Sequence, residues 1–283
     1  MTSSTTPAAT SSDPSFGVLL TLAYEGSSFS GWALQTNART IAGELLRAVR
    51  TIDPLCSEMR GASRTDAGVH ALAQRVTFAT SKSIAPRGWV LALTRELPRE
   101  IAVVRAAAVG ADHDPRRLAT RKTYRYSVLE SPVHDPFLHR RAWRVHQRLN
   151  QSRMHAALGT LPGEHDFRAF RSAADSRANT VRNILRAELS ADPRDPRLLC
   201  VEVEGDRFMH HMVRIICGSL VDIGRGRLPV DALKRALGSG SRRDLGMTAP
   251  AAGLCLTRVE LRDEGRDPWP AEVHPLVDSR PPA

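Results

Sequence analysis

The chain has 283 residues and a formal charge of +10, with 40 Lys and Arg against 30 Asp and Glu. This length is enough for one large domain or two smaller ones, each with its own apolar core. The basic excess favours a polyanion as partner. No apolar run approaches membrane-spanning length, and we expect no membrane partner.

The cysteines and the first residues bear on the compartment. The four cysteines are far apart and show no C-x-x-C spacing, so we expect reduced thiols and neither a disulfide framework nor a zinc site. No basic residue precedes Arg39, whereas secretory signals and mitochondrial transit peptides need positive charge. Both features predict a cytoplasmic protein. The cysteines are Cys56, Cys200, Cys217 and Cys255.

The first part of the chain alternates between predicted strands and helices. Apolar alternation predicts a strand at 18–24. Thr40 is a plausible N-cap for a helix with Ile41, Leu45 and Val49 on its apolar face. A strand at 75–79, a helix at 86–97 and a strand at 101–109 follow.

A polar, Arg-rich connection at 112–121 separates this part from the second. A strand is predicted at 122–128, and Asn150 is expected to cap a helix. Strands at 182–189 and 198–203 precede an amphipathic helix that begins near Phe208 and ends near Gly224. Another helix begins at Pro229, and a last strand spans 254–261.

This order lacks regular βαβ alternation, which favours an α+β fold with mostly antiparallel sheets flanked by helices. The elements recur in two similar halves without a short sequence repeat. We expect an N-terminal half at 16–115 and a C-terminal half at 116–262. The Ser-, Thr- and Pro-rich segment at 1–15 and the Pro- and charge-rich segment at 263–283 are predicted to be tails.

The most informative motif is Arg64-Thr65-Asp66-Ala67-Gly68, followed by a histidine at position 70. An isolated Asp-Ala-Gly is most often a turn, but here an arginine, a hydroxyl and a glycine surround the carboxylate. An aspartate is ionised at neutral pH and can act as a nucleophile. The adjacent arginine can hold a carboxylate or reach a phosphate.

Further motifs follow in a fixed order along the chain. They are Tyr24-Glu25-Gly26, Phe29-x-Gly31-Trp32, Lys122-Thr123-Tyr124-Arg125-Tyr126, His165-Asp166-Phe167, Thr180-Val181-Arg182, His211-Met212-Val213-Arg214 and Gly246-Met247-Thr248-Ala249-Pro250. Together with the Asp66 motif, this series resembles the TruA-type tRNA pseudouridine synthases. The chain departs from that family at Ser63, where the signature begins with glycine, at Ala42, where glutamine is frequent, and at 112–116.

The resemblance implies the pseudouridine synthase fold, with the two halves flanking a basic cleft that has Asp66 at its floor. It implies isomerisation of uridine to pseudouridine in the anticodon stem-loop of tRNA, at about positions 38–40. It also implies a homodimer. The reaction exchanges one glycosidic bond for another, so we expect no cofactor and no metal.

The resemblance also assigns the site residues. Asp66 is the expected catalytic residue, and Arg64, Tyr124 and Arg214 are expected to bind the substrate. Arg64 would assist extrusion of the uridine from its helix, and Tyr124 would stack on the uracil. Arg214 would form an ion pair with Asp66. Tyr126 is expected to lie in the core.

Two alternatives remain beside this interpretation. The same chemistry could act on another RNA target, and a basic tRNA-binding module could lack catalysis. A metal-dependent nuclease is disfavoured because no second carboxylate is spaced to join Asp66. The histidines suggest a metal site, but they show no ligand spacing typical of zinc. They are His70, His165, His210 and His211.

Overall fold

The computed structural model of the chain describes residues 16–266, which form a ten-stranded sheet with flanking helices. The expected α+β fold is confirmed. The strands are β1 (Phe16–Tyr24), β2 (Arg60–Gly61), β3 (His70–Thr80), β4 (Ile101–Val109), β5 (Ala119–Glu130), β6 (Trp143–Val145), β7 (Gly163–Asp166), β8 (Val181–Ala191), β9 (Leu198–Gly205) and β10 (Leu254–Leu261). The α-helices are α1 (Ile41–Arg50), α2 (Pro86–Glu96), α3 (Pro115–Leu118), α4 (Gln151–Leu158), α5 (Met212–Gly224) and α6 (Ala232–Ser239).

The strands follow the order β4-β1-β3-β10-β5-β9-β8-β7, with β2 added to β3 and β6 added to β5. Within the described residues, pairing is antiparallel except between β10 and β3 and between β5 and β6. Strands from 16–115 occupy one end of the order and those from 116–262 the other. The last strand, β10, lies between β3 and β5, so the strands of 16–115 and those of 116–262 join in one continuous sheet.

The helices begin where capping side chains are available. The Thr40 hydroxyl accepts a hydrogen bond from the Gly43 amide at the start of α1, and the Asn150 side chain accepts one from the Arg153 amide at the start of α4. Both predicted caps are confirmed. The helix expected to begin near Phe208 begins instead at Met212, because the preceding residue adopts a left-handed conformation that interrupts the helix.

The connection expected at 112–121 is more ordered than predicted. Asp114 accepts hydrogen bonds from the amides of Arg116 and Arg117, and Pro115 occupies the first turn of α3. Strand β5 then begins at Ala119, three residues earlier than the apolar alternation indicates.

One continuous cluster of buried apolar side chains extends through both halves. Tyr126 is fully buried in it, and its hydroxyl donates to the Pro250 carbonyl, which confirms its predicted place in the core. Between residues 16 and 266, no helix is long and apolar enough to cross a membrane. The predicted tails lie outside the described residues, apart from 263–266.

Candidate active site

The loop that carries Asp66 leads directly into β3 and is held in place by the segment before α1. The Trp32 amide donates to the Thr65 carbonyl at 3.0 Å. Gly31 has a φ of +90°, and a Cβ built on it would lie 2.7 Å from the Thr65 carbonyl oxygen. Only glycine combines this conformation with so close an approach. The Phe-x-Gly-Trp motif therefore packs against the backbone of the Asp66 loop.

Polar side chains from β1 and β3 form hydrogen bonds with the start of the Asp66 loop. The Tyr24 and Thr65 hydroxyls share a hydrogen bond of 2.8 Å. The Gln74 side chain donates to the Ser63 carbonyl at 2.6 Å and accepts from the Ser63 amide at 3.2 Å. These hydrogen bonds satisfy polar groups of the strands and of the loop, and they fix the backbone just before Asp66.

Arg214, in the first turn of α5, forms an ion pair with Asp66. Its Nη1 donates to Asp66 Oδ2 at 3.0 Å, and its Nε donates to the Ala249 carbonyl at 2.9 Å. The Ala249 amide donates in turn to the Arg214 carbonyl. This double tether orients the guanidinium toward the carboxylate of Asp66. The 246–250 segment thus acts as the support of Arg214.

Two histidines also contact the carboxylate of Asp66. His210 Nε2 lies 3.3 Å from Oδ1, and His211 Nε2 lies 3.4 Å from Oδ2. Their rings are 3.9 Å apart. His211 has a φ of 63° and is the one non-glycine residue of 16–266 with a positive φ. Burial lowers the pKa of His211, and the nearby charges of Arg214 and His210 lower it further against the opposing effect of Asp66.

These three residues form a possible metal-binding group. One potential ligand atom each from Asp66, His210 and His211 lies within 4.8 Å of the others, and this is the one such group in the described part of the chain. Sequence spacing could not indicate it, because the carboxylate and the histidines come from different halves. The guanidinium of Arg214 on the same carboxylate opposes the binding of a cation there.

Tyr124, on β5, lies next to the Asp66 loop. Its hydroxyl shares a hydrogen bond of 2.9 Å with Ser63 Oγ, and its ring meets Phe208 edge-on with 5.1 Å between centroids. Burial raises the pKa of Tyr124 to about 12, with the negative charge of Asp66 adding to it and the Ser63 hydrogen bond opposing it. The phenol is therefore protonated at neutral pH.

The sequence profile of the tRNA pseudouridine synthase family matches residues 21–116 and 157–261. A protein named tRNA pseudouridine synthase A from Moorella thermoacetica is 40% identical over 243 residues, covering 85% of this chain and 98% of the relative. One of the same name from Acetivibrio thermocellus is 36% identical over 242 residues, covering 86% and 98%. The chain belongs to the tRNA pseudouridine synthase family. It is thus an isomerase that converts uridine of tRNA to pseudouridine.

The chain is also similar to a solved structure titled as the archaeal box H/ACA sRNP Nop10-Cbf5 complex. The TM-score is 0.39 at 15% identity, and the match covers 94% of this chain and 54% of the other.

The tRNA pseudouridine synthase signature of this chain includes Arg64, which the structure leaves apart from the carboxylate. Arg64 is exposed, and no hydrogen bond or ion pair joins it to another of residues 16–266. The structure therefore brings Asp66 and Arg214 together, places Tyr124 beside their loop, and leaves Arg64 extended at the surface.

A buried lysine that sequence reasoning did not single out contacts the segment just before the Asp66 loop of this synthase. Lys122 Nζ donates to the Ala62 carbonyl at 2.7 Å, four residues before Asp66. Burial lowers the pKa of Lys122 to about 8, and the charges of Arg116 and Arg207 contribute. Its place in the Lys-Thr-Tyr-Arg-Tyr motif was the available signal, since the lysine is two residues from Tyr124 and shares its side of the strand.

Proposed function

We propose that this synthase acts on the anticodon stem-loop of tRNA, at about positions 38–40, with Asp66 as nucleophile. The observation that carries the proposal is the ion pair between the Asp66 carboxylate and Arg214. The loop that carries Asp66 is fixed by hydrogen bonds from the segment before α1 and from β1 and β3. Its side chain is 21% exposed, so an extruded nucleotide can reach it.

The reaction breaks the bond from N1 of uracil to C1′ of the ribose, turns the base, and joins C5 to C1′. The proton lost from C5 is balanced by one gained at N1. A carboxylate at the Asp66 position can attack the sugar, attack the base, or take the C2′ proton of the ribose to form a glycal-type intermediate and return it when C5 joins C1′. The buried ring of Tyr124 would support the uracil while it turns.

Arg64 and Arg214 have different proposed roles. Arg214 orients the nucleophile, because its guanidinium is hydrogen-bonded to both Asp66 and the 246–250 segment. Arg64 is exposed beside the nucleophile and is long enough to enter the helix as the uridine leaves it. Extrusion of a base costs a few kcal/mol, which an inserted cation with phosphate contacts offsets in part.

The Asp66→Asn variant tests this assignment. We expect pseudouridine formation to be abolished while tRNA binding and thermal stability stay close to wild type, since Asn preserves size but is a far weaker nucleophile. Mapping pseudouridine in tRNA after incubation with each enzyme also identifies the modified positions. Asp112→Asn, at an exposed aspartate, is the matched control. Turnover at a tenth of the wild-type rate would contradict the nucleophile, and modification at other positions would contradict the anticodon target.

We further propose that the protein is a cytoplasmic homodimer. Two large apolar side chains of the segment after β5 are exposed, Phe137 at 89% and Val133 at 66%, and covering such groups stabilises an interface. Light scattering at the concentrations used for activity should give twice the mass of one chain. The Phe137→Ser variant should give a lower measured mass, closer to that of one chain. A single-chain mass for the active wild-type protein would contradict the dimer.

A further inference from the structure

A cavity of about 540 Å³ opens where β7 meets β8, beside the proposed active site. Its lining is rich in groups that donate hydrogen bonds to anions, and no part of it was assigned from the sequence. The lining residues that matter here are Asp166, Arg168, Arg171, Ser176, Arg177 and Asn179.

The charges of this cavity do not cancel. Arg168 forms an ion pair with Asp166, and Arg177 forms one with Asp175. Within 16–266, Arg171 has no carboxylate at ion-pairing distance; its guanidinium donates to the carbonyl of Arg177 at 2.7 Å. One guanidinium charge of the lining is therefore uncompensated. A guanidinium presents several N–H donors in a plane that fits phosphate oxygens.

Two contacts join the wall of the cavity to the catalytic residues. The His210 amide donates to Asp175 Oδ2 at 3.0 Å, and the ring of the same histidine reaches Asp66. Arg177 Nη1 donates to the Phe208 carbonyl at 3.4 Å, and the Phe208 ring packs on Tyr124. From Arg177 in the lining, Asp175 and His210 lead to the proposed nucleophile Asp66, and Phe208 leads to Tyr124.

Two buried cations, Arg182 and Lys122, have Arg177 and Arg207 among the charges that act on them. Burial lowers the pKa of Arg182, and the charges of Arg177 and Arg207 lower it further. The pKa of Lys122 is lowered by burial and by several arginines that include the same two. An anion bound near Arg177 would relieve this repulsion, whereas a cation would increase it.

We propose that this cavity binds a backbone phosphate of the RNA next to the uridine that is modified, with Arg171 as its principal charged contact. The inference rests on the proposed function. A phosphate held there would anchor the backbone while the nucleotide turns about it, since phosphate contacts set register and base contacts do not. Exposed Ser176 and Asn179 can supply neutral hydrogen bonds to the same group.

A binding cycle with neutralised phosphates tests the proposal. A stem-loop RNA is prepared in versions that each carry one uncharged methylphosphonate linkage near the target uridine. The affinity of the wild-type protein should fall about tenfold for the RNA in which one particular linkage is neutralised, as expected for the loss of a charge-assisted contact. Arg171→Ala should bind the unmodified RNA more weakly by a similar factor. Neutralising that same linkage should not weaken the binding of Arg171→Ala any further. Arg194→Ala, an exposed arginine beyond the opposite end of β8, should keep the wild-type pattern.

Several outcomes would overturn the inference. If Arg171→Ala remains as sensitive as wild type at every linkage, the cavity holds no backbone phosphate. Inorganic phosphate could compete with RNA only when Arg171 is present, while no neutralised linkage changes the effect of Arg171→Ala. In that case the cavity binds a free anion instead. Arg171→Gln and a thermal melt guard against a folding defect. Pseudouridine formation by wild type on the unmodified stem-loop reports separately on the proposed function.

Discussion

Ser63 occupies the position at which the signature of the TruA-type synthases begins with glycine. In this chain the Ser63 hydroxyl is hydrogen-bonded to the hydroxyl of Tyr124, and this contact fixes the orientation of the phenol. The backbone of Ser63 is held on both sides by Gln74. A departure from the family pattern thus creates a contact with a residue that the same pattern assigns to the substrate.

A double-mutant cycle separates the ring of Tyr124 from its hydroxyl. Tyr124→Phe should keep most of the single-turnover rate, because the stacked ring remains, and Tyr124→Ala should lose most of it. Ser63→Ala should match Tyr124→Phe, and the double variant should be no slower than either, since both remove one hydrogen bond. Rates are measured at saturating enzyme.

Two results would count against this account. Loss of activity in Tyr124→Phe as complete as in Asp66→Asn would assign chemistry to the hydroxyl. An active but less stable Tyr124→Ala would make the residue part of the core, where it packs against Phe208. Thermal melts of both variants decide whether a low rate reflects the site or the fold.

Residues of the site were predictable where the family resemblance assigns them to a motif. The contact between Asp66 and Arg214 was expected from that resemblance, although 148 positions separate the two residues. The approach of His210 and His211 to the same carboxylate was not, because it depends on the left-handed backbone at His211, which favours glycine and leaves no pattern in side-chain types. The substrate roles of Arg64 and Tyr124 remain predictions.

At the scale of elements, long strands and capped helices were predictable, and short ones were not. Strand β10 has the predicted limits, and α1 begins at its predicted cap. Strands β2, β6 and β7 have two to four residues, too few to show an alternation. Their pairing comes from neighbouring strands rather than from their own sequence, so only the tertiary structure reveals them.

Strand β5 carries a buried charge that makes stability depend on pH. Burial and nearby arginines lower the pKa of Lys122 from 10.5 to about 8. Between these values the unfolded chain binds the proton more tightly, so the free energy of unfolding rises with pH there. Relative to Lys122→Met, the wild type should gain about 2–3 kcal/mol between roughly pH 7 and pH 10.

Urea unfolding at several pH values measures this difference, and the comparison with Lys122→Met cancels the titration of other groups. Lys82→Met is the matched control, because it removes an exposed lysine in place of a buried one. A constant difference between wild type and Lys122→Met across this range would show that Lys122 keeps its ordinary titration in the folded protein.

At the scale of the molecule, we propose that 16–115 and 116–262 are the two halves of the fold. Mostly antiparallel pairing could be predicted from the order of elements. The junction could not, because β10 meets β3 through only two residue pairs, Cys255 with His70 and Leu256 with Ala71. So short a parallel pairing between distant segments leaves no periodicity in the sequence.

The net charge of +10 leads to a prediction for the whole surface. Binding of tRNA should weaken by at least about tenfold between about 50 and 200 mM salt, because each neutralised phosphate releases counterions. Titrations with fluorescently labelled tRNA at four salt concentrations give the slope. A slope near zero would mean that the arginines are a compositional bias and that contacts with phosphates contribute little to affinity.

The place of β10 has a consequence for how the protein is made. Until residues 254–261 have left the ribosome, β3 and β5 each lack a neighbour on the side that β10 fills. The strands of 16–115 and of 116–262 are then not joined in one sheet, and the sheet no longer fixes Arg214 relative to Asp66. We therefore expect the nascent chain to be inactive until its last strand emerges. A premature stop before Leu254 would release a protein with two open strand edges, which are templates for aggregation.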